Sequence, residues 1–332
     1  MGVGVDEMVN KYQITNSKQG SLMSNIAFIF PGQGSQYAGM GKELAANFRT
    51  AADVFAEADE ALGFRLSRLC FEGPEEELKL TATTQPAILT ASVAALRVVQ
   101  AETGLSPTYL AGHSLGEYSA LVAGGALSLA DAVRTVRSRG SFMQEAVPVG
   151  VGAMAAIIGA DPDVLAEICA EAAQGEVVSP ANYNSPGQLV IAGHAAAVSR
   201  AMVIAKERGF RKAMLLPVSA PFHCSLMGPA ADRLAAVLDQ VAVNALSQPV
   251  VTNVEALANS DSGRVRELLV KQVCAPVRWA QSVEEMILLG VGTFIEIGPG
   301  KVLSGLVKRI SKEPVIFNVD DVAGLKNLPV VL

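Results

Sequence analysis

Three residues in this sequence have the types and settings that acyl chemistry needs. The first is Ser114, in LAGHSLGEYSA (110–120), with Gly112 and Gly116 flanking it in a G-x-S-x-G frame. A nucleophilic serine at a sharp strand-to-helix turn needs neighbours without side chains, or the turn cannot close. TYLAG (108–112) reads as a buried strand and 115–124 as a helix, so the frame has the strand–turn–helix context of a nucleophile elbow. The turn would present the Ser114 hydroxyl at the carboxyl end of the strand. The N–H of Leu115, at the helix start, would be free to bind an oxyanion. The alternative is a structural serine in a tight turn.

A serine hydroxyl needs a base. The chain has three histidines. His113 is adjacent to Ser114, and neighbours on a sharp elbow point apart, so it flanks the site. His194 ends a strand and suits a structural or surface role. His223 lies in LPVSAPFHCSLMGPAADRL, stiffened by Pro217 and Pro221 and followed by a helix. The positive end of that helix would disfavour imidazolium and keep His223 neutral, as a base must be. A satisfied structural histidine is the other reading. Cys224, beside His223, is a further candidate nucleophile, against the commoner case of a buried inert thiol.

The third residue is an arginine. In LSLADAVRTVRSRGSFMQEAV, residues Leu129, Ala132, Val133, Val136, Met143 and Val147 form an apolar face at helical spacing. Arg134 falls opposite, Arg137 towards solvent, and Arg139 on the flank of the buried stripe. A half-buried guanidinium needs an anionic partner. That partner is either a structural carboxylate or a carboxylate on a substrate, held as a bidentate pair.

These residues need a frame. The chain of 332 residues is half hydrophobic and 17% charged, which suits a well-packed globular enzyme. A net charge of −6 argues against a general nucleic-acid binder. No apolar run reaches membrane-spanning length and the N-terminus lacks a signal-peptide core. Four scattered cysteines without a C-x-x-C pair point away from zinc or disulfides and towards the cytoplasm.

Residues 1–24 read as a loose leader, with Met23 as an alternative start. IAFIF (26–30) is a buried strand running into the glycine-rich PGQGSQYAGMG, then a long helical pattern to about Ala61. Helices follow over roughly 84–102, 115–124 and 128–147. From Gly152 the order becomes β-α-β-β-α-β, the ferredoxin-like unit, with Asp161 capping its first helix and an Asn-Ser-Pro-Gly turn joining its middle strands. VVTNV, TFIEIG and PVIFNV are further buried strands. The expected fold class is α/β: an α/β-hydrolase-like parallel-sheet core, residues 25–149 and 218–332, with an inserted ferredoxin-like small subdomain, 150–217.

With these pieces in view, the sequence resembles the malonyl-CoA:acyl carrier protein transacylases of bacterial fatty acid synthesis, from Ile26 to about Ile310. The blocks are FPGQGSQYAGMG (30–41), TQPAI (84–88), GHSLGEYSALVAGG (112–125), RGSFMQEAVPVGVGAMAAIIG (139–159), NYNSPGQLVIAGH (182–194), PVSAPFHCSLM (217–227) and EIGPGKVLSGL (296–306). The leader and the tail after about Asp320 lie outside it.

The resemblance implies that Ser114 is the acylated nucleophile and His223 its base. Gln33 would supply a second oxyanion N–H beside Leu115, and Arg139 would bind the malonyl carboxylate. Gln272 would orient His223 through its backbone carbonyl. Asn184 and His113 match positions near the cleft, and Phe222 matches a ring that crowds a 2-methyl branch. The substrates would be malonyl-CoA and holo acyl carrier protein, with no metal or bound cofactor, no membrane partner, and a monomeric state. The carrier class is acidic, so Lys301, Lys308, Arg309 and Lys312 are docking candidates. Two other readings remain: a serine esterase or thioesterase, and a carrier-binding scaffold with a dead site.

Overall fold

A computed structural model describes residues 25–210, 212–218 and 220–329. The expected leader 1–24, with Met23, lies outside the described residues.

The main sheet has six strands: β1 (Asn25–Phe30), β2 (Tyr109–Gly112), β7 (Val250–Val251), β8 (Ala258–Asn259), β9 (Val291–Ile297) and β10 (Val315–Val319). Their order is β10-β9-β1-β2-β7-β8. All neighbours are parallel except the β7–β8 hairpin at one edge. β1 is apolar on both sides because both are covered. Phe28 and Phe30 enter one core, and Ala27 and Ile29 enter another beneath Trp279. The small sheet is antiparallel, in the order β4-β5-β3-β6, from β3 (Gly152–Ile158), β4 (Val178–Ser185), β5 (Gln188–His194) and β6 (Lys212–Leu215). With helices Pro162–Ala173 and Ala195–Glu207 this is the ferredoxin-like arrangement read from the sequence. Alternation along β3 divides its contacts: Ala155 and Ile157 join the small subdomain's own core, and Met154 and Ala156 join the main one.

The subdomains share backbone bonds. Tyr183 N–H donates to Val277 O and Val277 N–H to Ala181 O, each at 2.9 Å. This seam lies five residues beyond Gln272.

Several expectations need correction. The helical pattern to Ala61 is two helices, Lys42–Asn47 and Arg49–Leu62, because Phe48 is extended between them. Asp161 occupies the N-cap of its helix but its side chain caps nothing. VVTNV gives a strand of two residues only, since Asn253 turns inward to bind the elbow. Arg137 does not simply face solvent. It stacks on Phe64 and donates to Ala82 O at 3.2 Å. That carbonyl is the one Pro86 leaves without its helical donor, since proline has no N–H.

Helix Leu129–Glu145 starts at Ser128, whose hydroxyl accepts from Asp131 N–H. It crosses the start of helix Thr81–Thr103 at Gly140. A Cβ there would lie 2.6 Å from Thr81 O and 2.8 Å from Ala82 Cα. The close crossing sets the depth of the adjacent Arg139.

Candidate active site

The glycines around Ser114 have steric reasons. A Cβ on Gly112 would come within 2.0 Å of the Gly116 carbonyl, and one on Gly116 within 2.1 Å of Phe30 O. A Cβ on Gly32, in the PGQG loop, would meet His113 O at 2.4 Å. Strand end, elbow and loop therefore pack backbone to backbone. Ser114 sits at φ 51° and His223 at φ 61°, both in the left-handed region that L-residues seldom adopt.

Ser114 Oγ is 2.8 Å from His223 Nε2, and His223 Nδ1 is 2.9 Å from the Gln272 carbonyl. A carbonyl only accepts, so Nδ1 carries the proton and Nε2 offers a lone pair to the serine hydroxyl. His223 is buried, and burial pushes its pKa down to about 3, with the Arg139 charge as the next cause. These two causes keep the imidazole neutral, as a base must be.

Arg139 is 1% exposed, so it is fully buried where the sequence suggested half. Nη1 donates to Gln85 Oε1 at 2.8 Å. Nη2 donates to Gln272 Oε1 at 3.0 Å and to Ser114 Oγ at 3.1 Å. Among the described residues no carboxylate pairs with it, and its Nε–H lacks a partner. A buried cation held by neutral acceptors stays receptive to an anion.

The structure gathers Gln33, His113, Ser114, Leu115, Arg139, Phe222 and His223 on one cavity of about 130 Å³. The backbone N–H groups of Gln33 and Leu115 make no hydrogen bond to another described residue. Asn184 is not on the cavity wall. Its Oδ1 is 2.8 Å from His113 Nε2, and Asn182, two residues earlier, lines the cavity. The His113 ring in turn sits 5.8 Å from the Trp279 ring. His194 is structural, its Nδ1 accepting from Val177 N–H. Burial pushes the Cys224 thiol up to about 11, which makes it a poor nucleophile.

Sequence reasoning missed three supports. Asn253 Oδ1 accepts from Ser114 N–H at 2.6 Å while its Nδ2 donates to Gly112 O at 2.7 Å, locking the elbow. Gln85 holds Arg139. Glu117, 2% exposed, accepts from Asn253 N–H at 3.0 Å and from Gln272 Nε2 at 2.7 Å through one oxygen, Oε2. Burial pushes its carboxyl up to about 7 against those bonds and Arg139. One signal was readable: a lone carboxylate in the apolar helix GEYSALVA.

Residues 27–329 match the acyl transferase domain family. The chain belongs to that family. The match takes in the tail beyond Asp320 that the sequence blocks had left out. Within the acyl transferases, the chain is 55% identical over 288 residues to the malonyl CoA-acyl carrier protein transacylase of Escherichia coli K12, covering 87% of this chain and 93% of that one. The acyl carrier protein S-malonyltransferase structure from Vibrio cholerae is 52% identical with a TM-score of 0.89, covering 91% of this chain and 99% of that one. A malonyl-transacylase solved in complex with a type II polyketide acyl carrier protein is 50% identical with a TM-score of 0.89, covering 91% and 98%. The chain thus stands among the malonyl-CoA:acyl carrier protein transacylases. Among the described residues no helix is long and apolar enough to cross a membrane, and no group of three or more His, Cys, Asp or Glu could hold a metal ion.

Proposed function

We propose that this protein transfers the malonyl group of malonyl-CoA to the phosphopantetheine thiol of holo acyl carrier protein, through a malonyl ester on Ser114, supplying malonyl carrier protein for fatty acid synthesis in the cytoplasm. The observation that carries this reading is Arg139, a buried guanidinium without a carboxylate partner, 3.1 Å from the Ser114 hydroxyl. The names of relatives that share half or more of the sequence support it.

In the first half-reaction His223 Nε2 takes the Ser114 proton as Oγ attacks the thioester carbonyl. The developing oxyanion is received by the N–H groups of Gln33 and Leu115, and loss of one such donor typically costs about 10²–10³ in rate. The carbon–sulfur bond breaks, and His223 returns the proton to the CoA sulfur. In the second half-reaction the carrier thiol gives its proton to His223 and attacks the ester, and Ser114 leaves with that proton.

Transfer must outrun hydrolysis. Met143, Met154, Leu216, Val218 and Phe222 give the cavity an apolar wall that keeps water from the ester. Phe222 also leaves little room for a 2-methyl branch. The small subdomain, residues 150–217, supplies part of this wall as a lid. Neither step as written uses a metal or bound cofactor. Lys301 and Lys308 are exposed and would be available to an acidic carrier protein, whereas Lys312 donates to Lys308 O and Arg309 to Gln188 of the small subdomain.

The test is intact-mass analysis after malonyl-CoA is added without carrier protein. Wild type should gain one stable malonyl group, and Ser114→Ala none. Holo carrier protein should then discharge it as malonyl carrier protein. Discharge into water at the same rate without the carrier would mean a thioesterase, and no adduct at all would mean a scaffold.

A further inference from the structure

Gln272 contributes two separate things to the site. Its backbone carbonyl faces His223, while its side-chain amide lies between Glu117 and Arg139. Both amide hydrogens are engaged: Nε2 donates to Glu117 Oε2 at 2.7 Å and to Ser114 O at 3.1 Å. The amide oxygen is thereby turned to Arg139 Nη2, 3.0 Å away. A flipped amide would set its oxygen against two acceptors and its NH₂ against a cation, so Glu117 fixes the only satisfied orientation. Glu117, Gln272, Arg139 and His223 are buried, where an unpaired polar atom is costly.

We propose that Glu117 is a specificity-determining positioning residue: acting through the Gln272 amide, it holds the Arg139 guanidinium at the nucleophile and so sets the preference for thioesters that carry a free carboxylate. The proposal rests on the reading of Arg139 as the carboxylate receiver. A carboxylate in direct contact with Arg139 would compete with the substrate's own. With a neutral amide between them, Glu117 can aim the guanidinium while leaving its N–H groups to acceptors that an incoming carboxylate readily displaces. Oε2 alone accepts both bonds, so the arrangement survives protonation of the other oxygen, and an amide oxygen at the same place can replace it.

The experiment compares kcat/KM for malonyl-CoA and acetyl-CoA in wild type, Glu117→Leu, Glu117→Asp, Glu117→Gln and Arg139→Ala, each checked for folding. Glu117→Leu should lower the malonyl-to-acetyl ratio by about tenfold or more. Glu117→Asp, which withdraws the carboxylate by one methylene and serves if the leucine variant does not fold, should lower it by about threefold or more. Glu117→Gln should stay within about threefold of wild type. Equal losses for both thioesters in the leucine or aspartate variant would reduce Glu117 to a structural residue. A collapse of the ratio in the glutamine variant would show that charge and not position matters, and would also overturn the proposal. Arg139→Ala separates the two ideas. If it leaves the ratio unchanged, the carboxylate reading itself fails. If it lowers the ratio and the Glu117 variants do not, only the role of Glu117 fails.

Discussion

Arg139 Nη2 lies 3.1 Å from Ser114 Oγ, so the cation that would hold a substrate's carboxylate touches the atom that would attack its carbonyl. In a malonyl thioester a single carbon separates those two groups. If Arg139 receives the carboxylate, this spacing would suit a three-carbon diacid and would crowd a longer one.

The first prediction follows from that spacing. Arg139→Ala should cost malonyl-CoA about 2–5 kcal/mol in kcat/KM and acetyl-CoA little, so their ratio falls by about 30-fold or more. Arg139→Lys should recover only part, because an ammonium lacks the planar fork. Wild type should acylate with succinyl-CoA far more slowly than with malonyl-CoA. Steady-state kinetics on the three thioesters decides; equal loss for malonyl and acetyl would assign Arg139 to the fold.

His223 yields a pH prediction. Its pKa is pushed down to about 3, first by burial and next by Arg139. The base is therefore neutral across the physiological range, and the acylation rate should show no acid limb near 6.5, where an ordinary histidine would give one. Arg139→Ala removes one of the depressing causes, so any acid limb should move upward in that variant. Single-turnover acylation from pH 4.5 to 8 is the check, and a wild-type limb centred at 6.5 would contradict it.

Glu117 titrates in the opposite sense. Its folded value, about 7, stands above the ordinary 4.5. Between those values the folded protein binds more protons than the unfolded chain. Stability from this group is complete below about pH 4.5 and declines as pH rises through 7. Glu117→Gln never ionises, so its melting temperature relative to wild type should be more favourable at pH 8 than at pH 5. A difference that does not change with pH would mean that the carboxyl ionises freely in the fold.

Asn253 should affect both substrates alike. It holds the elbow by the Ser114 N–H and the Gly112 carbonyl, makes no hydrogen bond to Arg139 and does not itself line the cavity. Asn253→Ala should slow acylation by about 10²-fold for malonyl and acetyl together, since the nucleophile is displaced for both. A selective loss for malonyl would tie Asn253 to the carboxylate instead.

Gly116→Ala should be a folding defect. The added Cβ would meet Phe30 O at 2.1 Å, and backbone on both sides prevents escape. Chemical denaturation should show a loss of about 3 kcal/mol or more.

The fold and the candidate residues Ser114, His223 and Arg139, which the structure brings together, were readable from sequence because their signals are local. A buried strand, a glycine-flanked serine and a following helix occupy residues 109–123, and three histidines leave a short choice. The partners of the supports were not readable, even for Glu117 with its conspicuous setting, because each acts on residues far away in the chain. Asn253 lies 139 residues from Ser114, and Gln272 lies 155 from Glu117. The depth of Arg139 was misjudged for a similar reason. Periodicity places a residue on a helix face, but only the neighbouring helix, here at Gly140, decides how much of that face is covered. The break at Phe48 escaped because apolar spacing continues through it while the backbone does not.

The crossing at Gly140 also bears on attempts to change what this protein accepts. Main chain rests on main chain there, with no side chain between to act as a cushion, so the helix carrying Arg139 has a hard stop against its neighbour. Redesign for other acyl groups would gain little from trying to shift that helix. It would do better to exchange the side chains that line the cavity on a frame that does not move.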